Sequence, residues 1–239
     1  IENVLNTHDW DGGTFLDLFI ADRDTTDGWL GNKRPLKGDI NSPLHESAAV
    51  FTKDGQTMYF TRNNIIDGRK RKDKSDVIRL RIFKAERQGE DTWNVVEDLP
   101  INSNSFSNAY PALNAAEDKL YFSSDRKGTF GMSDIWYVDL NEDGTYGDPV
   151  HLGENLNTEG REGFLFIDSN DVLYFASDGH LGLGGLDIYK TQLDEDGLPL
   201  KVENLGEPFN SPKDDFALII EPDKEVGYLT SNRAGGGVE

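Results

Sequence analysis

Three acidic residues occupy equivalent places in the sequence and are the side chains best suited to catalysis. Glu46, Glu162 and Asp215 each stand just before or at the start of an apolar segment, and His45 directly precedes the first of them. Two carboxylates on opposite sides of a glycosidic bond perform glycoside hydrolysis, so convergence of these residues on the rim of one channel would suit a carbohydrate. Duplication of a structural unit also repeats acidic residues without any catalysis. The sequence therefore predicts four candidate channel-rim residues and no catalytic set.

A second acidic set stands beside glycine-rich turns. Asp17, Asp134 and Asp187 each occupy the first position of a predicted outer strand. A carboxylate there can accept hydrogen bonds from the backbone N–H groups of the turn and hold the hairpin closed. Metal ligation is the alternative, but the three residues belong to different repeats. We therefore predict a structural role for them and no metal site.

The other residues that could bind metal ions or phosphate lack the required spacing. The four histidines are not spaced as the ligands of a zinc site are; they are His8, His45, His151 and His180. Residues 139–144 imitate the opening of a calcium loop, yet the twelfth position is Val150, where an EF-hand needs glutamate. The equivalent residues 194–197 follow one repeat later, so both stretches are predicted to be hairpin turns. The glycine-rich stretch 182–185 leads into a strand, whereas a phosphate loop needs a helix N-terminus. We predict no cofactor.

These residues recur because the chain is built from a repeating unit. A tyrosine recurs at spacings of 62, 53 and 54 residues, and an asparagine recurs at spacings of 61, 55 and 53 residues. These recurring residues are Tyr59, Tyr121, Tyr174 and Tyr228, and Asn41, Asn102, Asn157 and Asn210. Each asparagine is followed by serine or threonine, which predicts a strand end and a turn whose side chains bond to their own backbone. Each unit is predicted to form four short antiparallel strands, the pattern of an all-β β-propeller.

The repeats predict one propeller domain over residues 1–239. Full blades are expected at about 45–108, 109–161 and 162–215, with partial blades at 1–44 and 216–239. The first clear strand is predicted at 15–21, where it aligns with the strands that begin at Asp134 and Asp187. Joining the two partial blades would give four blades, whereas completing each of them would give five. The spacing alone does not decide between these counts.

Composition excludes several classes of partner. The 239 residues carry 24 basic and 44 acidic side chains, a net charge of −20 that repels nucleic acid and anionic lipid at long range. A basic run at 69–72 is predicted to be a solvated loop in an insertion of the first repeat. Cysteine is absent, which excludes disulfides and cysteine-ligated metals. No apolar stretch approaches the roughly 18–20 residues that cross a bilayer, so we expect no direct membrane insertion.

Three glycine-rich or asparagine-containing stretches of the sequence resemble the repeats of a known family. Residues 174–189, together with 210–216 and 231–236, resemble the TolB-like, WD-like propeller repeats of OmpA-family proteins from Bacteroidota, in particular the PorE type. The resemblance covers nearly the whole chain from about Phe15, although Arg81 stands where other repeats carry aspartate. It implies five blades, a periplasmic protein associated with the outer membrane, and a link to the type IX secretion machinery. It implies contact with peptidoglycan only through a separate domain outside this sequence.

These observations favour a scaffold over an enzyme. We predict a non-catalytic protein that binds envelope or secretion-system proteins. The alternative is a carbohydrate-binding or glycan-hydrolysing propeller, suggested by Trp10, Trp29 and the candidate rim residues. A structural spacer without a ligand is the third possibility.

Overall fold

The structure is a computed structural model that describes residues 15–24, 26, 28–66, 69–221 and 226–234. His8 and Trp10 lie outside the described residues. All regular secondary-structure elements in the described part of the chain are β-strands, which confirms the all-β class. Within those ranges, no helix is long and apolar enough to span a membrane.

The chain divides into two compact units, Ile1–Ala109 and Tyr110–Glu239. The described strands that begin in the first unit are β1 (Phe19–Arg23), β2 (Leu30–Pro35), β3 (Lys37–Gly38), β4 (Glu46–Phe51), β5 (Thr57–Asn63), β6 (Ile65–Ile66), β7 (Arg69–Lys70), β8 (Leu80–Arg87), β9 (Thr92–Asp98) and β10 (Asn108–Leu113). The first nine form a hairpin β1-β2, a sheet in the order β3-β9-β8-β5-β4 and a hairpin β6-β7. The last strand, β10, crosses into the second unit.

The second unit repeats a four-stranded antiparallel sheet. Its further strands are β11 (Lys119–Ser124), β12 (Asp134–Asp139), β13 (Val150–His151), β14 (Glu162–Ile167), β15 (Val172–Ser177), β16 (Asp187–Gln192), β17 (Glu203–Asn204), β18 (Asp215–Glu221) and β19 (Val226–Ser231). The sheets have the orders β10-β11-β12-β13 and β14-β15-β16-β17, followed by the pair β18-β19. Strand order in each sheet follows chain order, as expected for a unit of consecutive hairpins.

The first unit differs from the sequence prediction in three ways. The parallel strand β3 adds a fifth strand to its sheet by pairing with β9. Half of the basic run, Arg69–Lys70, forms an exposed strand that pairs with β6, so the prediction of a loop was wrong there. The first strand begins at Phe19 and not at Phe15, because the N–H groups of Leu16 and Leu18 bond to the side chains of His45 and Asn41. Those side chains take the donors that a neighbouring strand would otherwise accept.

Aromatic residues of the second and third strands form the core of the second unit. Tyr121, Phe122 and Phe175 are fully buried, because their strands are covered on both faces. The rings of Phe175 and Tyr189 stack across β15 and β16 with centroids 5.8 Å apart. The hydroxyl of Tyr121 donates to the carbonyl of Gly197 at 2.9 Å, which links consecutive sheets.

The four spaced asparagines form one recurring contact, which we call the asparagine clamp. Each side-chain amide accepts a hydrogen bond from the N–H of a residue at the start of the third strand and donates to the same residue's carbonyl. The clamped residues are Leu18 by Asn41, Ile82 by Asn102, Ile135 by Asn157 and Ile188 by Asn210. The predicted bonding of these asparagines to their own backbone was therefore wrong, because their partners lie 20 to 23 residues away.

The serine or threonine after each asparagine does bond locally, as predicted. The hydroxyls of Ser42, Ser103, Thr158 and Ser211 each accept from the N–H two residues later at 3.0–3.3 Å. Each hydroxyl fixes the turn that leads into the next inner strand.

Two glycines let the loop before each third strand lie against the start of the following repeat. A β-carbon at Gly131 would fall 2.4 Å from the carbonyl oxygen of Gly160, and one at Gly184 would fall 1.9 Å from that of Lys213. Beside these contacts, the N–H of Glu162 donates to the Ser133 carbonyl and the N–H of Asp215 to the Leu186 carbonyl, both at 2.8 Å. The glycine-rich loops therefore join successive repeats of the second unit.

Candidate functional site

The three acidic rim candidates occupy the same structural position in their repeats. Glu46, Glu162 and Asp215 are the first residues of β4, β14 and β18, and all three are buried. Each accepts a hydrogen bond from the backbone N–H of the serine or threonine four residues earlier, at 2.6–3.1 Å. The first use of these carboxylates is therefore to hold the entry to their own strand.

Glu162 and Asp215 satisfy their oxygens within this local network. Glu162 also accepts from the hydroxyls of Thr158 and Ser177 at 2.6 and 2.7 Å. Asp215 accepts from the Ser211 hydroxyl at 2.7 Å and from the guanidinium of Arg233. Burial acts to raise the pKa of Asp215, but hydrogen bonds from Ser231, Arg233 and Ser211 outweigh it and lower that pKa.

Glu46 is less completely bonded than its two counterparts. Its Oε2 accepts from the Ser42 N–H at 3.0 Å, while its buried Oε1 has no hydrogen-bond partner among the described residues. Burial raises the pKa of Glu46 to about 7, an effect that Ser42 and Arg62 oppose and that Asp17 reinforces. The neighbouring His45 ring accepts from the Leu16 N–H at 3.2 Å. Glu46 and His45 therefore lie side by side but bond to different backbone groups.

We expect Glu46 to make the free energy of unfolding depend on pH. Its folded pKa lies above its unfolded value of 4.5, so the folded state holds this proton more tightly. Stability that is present below pH 4.5 should fall as the pH rises through 7, by up to about 3 kcal/mol. Urea unfolding of the protein and of Glu46→Gln at intervals from pH 4.5 to 8.5 measures this loss. Because both proteins keep all four histidines, the difference between their curves isolates Glu46. Parallel curves would contradict the assignment.

Two of the three predicted outer-strand aspartates, Asp134 and Asp187, lie beside their turns in different repeats. Asp134 accepts from the N–H groups of Phe130 and Gly131 at 2.6 and 3.3 Å. Asp187 accepts from those of Leu183 and Gly184 at 2.9 Å each. The turn before Asp17 lies outside the described residues. Asp17 lies two residues before β1, so the prediction that it begins a strand was wrong. Its side chain is mostly exposed, and the burial of the remaining part raises its pKa.

The described histidines bond within the fold. His151 Nε2 lies 2.7 Å from a carboxylate oxygen of Asp134 and 3.1 Å from the amide nitrogen of Asn157. His180 Nε2 lies 2.7 Å from the Leu156 carbonyl oxygen. Within the described ranges, no group of three or more His, Cys, Asp or Glu side chains could hold a metal ion.

The two calcium-like stretches are hairpin turns. In the first, the N–H of Gly144 donates to the Asn141 carbonyl, and in the second the N–H of Gly197 donates to the Asp194 carbonyl. The carboxylate of Asp194 also accepts from two N–H groups of its own turn. These acidic side chains stabilise tight turns.

Sequence reasoning missed a recurring donor at the end of the second strand. In three repeats a side-chain nitrogen approaches the carbonyl oxygen of the residue before the clamp asparagine. The nitrogen belongs to Arg62 at 3.4 Å, to His180 at 2.7 Å and to Arg233 at 2.6 Å. A signal was present, because Ser-Asp-Arg at 124–126 matches Ser-Asn-Arg at 231–233. The donor type varies between repeats, which hid the equivalence of His180.

A row of aromatic rings on the inner strands was also missed. The centroids of Tyr110 and Phe164 are 4.3 Å apart, and those of Phe164 and Phe216 are 4.7 Å apart. Tyr110 and Phe164 have positive φ angles of 56° and 54°, which bulky residues rarely adopt. Ala48 and Ala217 take the same conformation at the equivalent positions of their strands. Period-two alternation predicts regular strands, so it cannot reveal the bulges in β4, β14 and β18.

Trp29 lies in the exposed turn of the β1-β2 hairpin. It precedes β2, and its side chain is mostly exposed. Its carbonyl accepts the N–H of Asp24 at 2.8 Å, which closes the hairpin.

Comparison with known proteins identifies the fold. No family model matches the chain, and no curated protein matches it significantly. Among solved structures, TolB from Acinetobacter baumannii is similar with a TM-score of 0.53 and 15% identity over 91% of this chain. The periplasmic gluconolactonase PpgL of Pseudomonas aeruginosa is similar with a TM-score of 0.50 and 13% identity over 95% of this chain. This chain spans 43% of the TolB structure and 60% of the lactonase structure. The predicted all-β propeller class is confirmed: the chain has the four-stranded antiparallel sheets of TolB-like and lactonase-like propellers.

Proposed function

We propose that this chain is a non-catalytic scaffold that binds other proteins in the periplasm, as part of an OmpA-family protein associated with the outer membrane. The single observation that carries the proposal is the use of Glu46, Glu162 and Asp215 as local hydrogen-bond acceptors. A glycosidase needs two carboxylates that face one substrate, with one able to donate a proton. Side chains that hold their own strand entries are poorly placed for that work.

The identity of the partners rests on the sequence resemblance. Repeats like those of PorE-type proteins favour envelope proteins, including components of the type IX secretion machinery, as the molecules bound. A net charge of −20 favours partners with basic surfaces, because opposite charges accelerate association. Peptidoglycan would be held by another domain of the intact protein.

Glycan binding is the second candidate, and the aromatic row of Tyr110, Phe164 and Phe216 is the observation that favours it. Aromatic rings present large apolar faces on which a ligand can pack. The three rings are half-buried and contiguous. This candidate requires no hydrolysis.

Capture from an envelope extract of a Bacteroidota bacterium tests the proposal. The chain is immobilised as bait beside the TolB propeller as a control of the same fold, and recovered proteins are identified by mass spectrometry. A panel of polysaccharides and peptidoglycan is incubated with the chain in parallel. We expect envelope proteins enriched over the control and no release of reducing sugar. Failure to enrich any protein, or sugar release abolished by Glu162→Gln, would overturn the scaffold proposal.

A further inference from the structure

Each complete repeat has two side-chain positions beside its asparagine clamp, and the third repeat differs from the others in the residues that occupy them. The first position directly precedes the clamped residue, and the second position contacts the clamp asparagine. In the first complete repeat the pair is Arg81 and Asp98, which form an ion pair. In the next it is Asp134 and His151, whose Nε2 lies 2.7 Å from the carboxylate. Both pairs set a carboxylate against a group that is or can become cationic.

The third repeat lacks the cationic member. Its positions are Asp187 and Asn204, and Asn204 contacts the clamp asparagine Asn210 at 2.8 Å as His151 contacts Asn157. Asparagine carries no charge, so Asp187 faces no equivalent cation. Asp187 is 1% exposed, and its Oδ1 has no hydrogen-bond partner in the described chain. A buried carboxylate without a positive partner is costly, because it loses its hydration.

A cavity of about 520 Å³ lies beside this position. Asn204, Tyr189 and His180 form part of its lining, and Leu181 and Leu200 supply apolar walls. Those two leucines are 98% and 54% exposed, so the rim is open and apolar. Lys201 also lines the cavity, but its ammonium pairs with Glu203 at 3.1 Å.

The glycine-rich loop lies against both the Asp187 carboxylate, which is buried behind the cavity lining, and one residue of that lining. A β-carbon at Gly182 would lie 2.0 Å from Oδ2 of Asp187 and 2.9 Å from the hydroxyl of Tyr189. Both groups therefore lie against the same glycine, and Tyr189 continues into the cavity wall. Burial and the negative charge of Asp187 raise the pKa of Tyr189 to about 12, in keeping with their closeness.

We propose that this cavity binds a lysine or arginine side chain of a partner protein, whose cation pairs with Asp187. The aliphatic part of that side chain packs against Leu181 and Leu200, and its charge lies over the ring of Tyr189. The partner thus supplies the group that faces the carboxylate, a place taken by Arg81 and by His151 in the other repeats. The inference rests on the proposed function for its partner, whereas the cation site itself rests on the geometry.

Small probes test the cation site in the intact chain. The probes are the N-acetyl methylamides of lysine, arginine and norleucine, and binding is followed by the methyl NMR signals of Leu181 and Leu200. We expect saturable shifts with the two basic probes and at least tenfold weaker binding of the neutral norleucine probe. Equal binding of norleucine would overturn the proposal.

Two variants and a matched control locate the binding. Asn204→His introduces the imidazole that the preceding repeat places beside its aspartate. The fold accommodates histidine there, since His151 and Asn204 accept the same kind of glycine N–H, at 3.1 and 2.7 Å. We expect both Asn204→His and Asp187→Asn to weaken the binding of the basic probes at least tenfold. The control variant Asp134→Asn should leave that binding unchanged. Circular dichroism melts verify that each variant is folded. Wild-type affinity in folded Asn204→His would overturn the proposal.

Capture with the same variants separates this inference from the proposed function. Loss of the captured envelope protein in Asn204→His, with retention in Asp134→Asn, would support both. Unchanged capture by Asn204→His would overturn the partner site and leave the scaffold function standing. Probe binding without any captured protein would overturn the scaffold function and leave the cation site standing.

Discussion

Replacing Asn157 by alanine is expected to lower the free energy of unfolding by about 3–5 kcal/mol. The amide of Asn157 accepts from the N–H of Ile135 at 2.7 Å and donates to its carbonyl at 3.1 Å. Both side chains are buried, so water cannot replace these bonds. Alanine therefore leaves the buried N–H of Ile135 without its acceptor, whereas the Ile135 carbonyl keeps its bond from the Leu152 N–H at 3.2 Å. It also removes the contact with His151.

Urea unfolding of Asn157→Ala beside Asn155→Ala measures this effect. Asn155 is an exposed residue of the same turn, and its replacement should change stability by no more than about 0.5 kcal/mol. Amide hydrogen exchange adds a local readout, because the Ile135 N–H loses its acceptor in Asn157→Ala and should exchange faster. Equal stability of the two variants would show that the clamp is dispensable.

The periodicity of the sequence revealed which residues are equivalent but not what they contact. Asn41, Asn102, Asn157 and Asn210 recur at one spacing, which correctly indicated a repeated structural role. Their partners lie 20 to 23 residues away, and local turn preferences cannot indicate so distant a contact. The serine and threonine turns were predicted correctly because their bonds span only two residues.

One departure from the repeat pattern has a physical explanation. Arg81 stands where other repeats carry aspartate, and its partner Asp98 stands where the next repeat carries His151. The carboxylate and its nitrogen-bearing partner exchange positions, so the pair survives. Recognising this from sequence requires knowing that the two positions meet, which strand pairing and the clamp determine together.

The cavity beside Asp187 was hidden for a related reason. The glycine-rich phrase at 179–185 predicted a hairpin turn, and that loop does precede β16. What the pattern could not show is that Asn204 stands where the preceding repeat carries His151. A missing partner becomes visible only when the repeats are compared in three dimensions.

Glu162 distinguishes a structural role of the acidic residues from a catalytic one. Its carboxylate accepts from the Thr158 N–H and from the hydroxyls of Thr158 and Ser177. Alanine would leave these donors without their acceptor in a buried site, so we expect Glu162→Ala to lose about 3–5 kcal/mol of stability. A residue kept for catalysis behaves differently, because active sites are often held at a cost to stability.

The most direct test is the free energy of unfolding of Glu162→Ala, measured beside Glu159→Ala. Glu159 is an exposed acidic residue of the same turn, and its replacement removes the same charge. If the shared acidic residues serve the scaffold, Glu162→Ala is destabilised by about 3–5 kcal/mol and Glu159→Ala by no more than about 0.5 kcal/mol. A Glu162→Ala variant as stable as Glu159→Ala, or more stable than the parent chain, would contradict the structural role and favour a catalytic one.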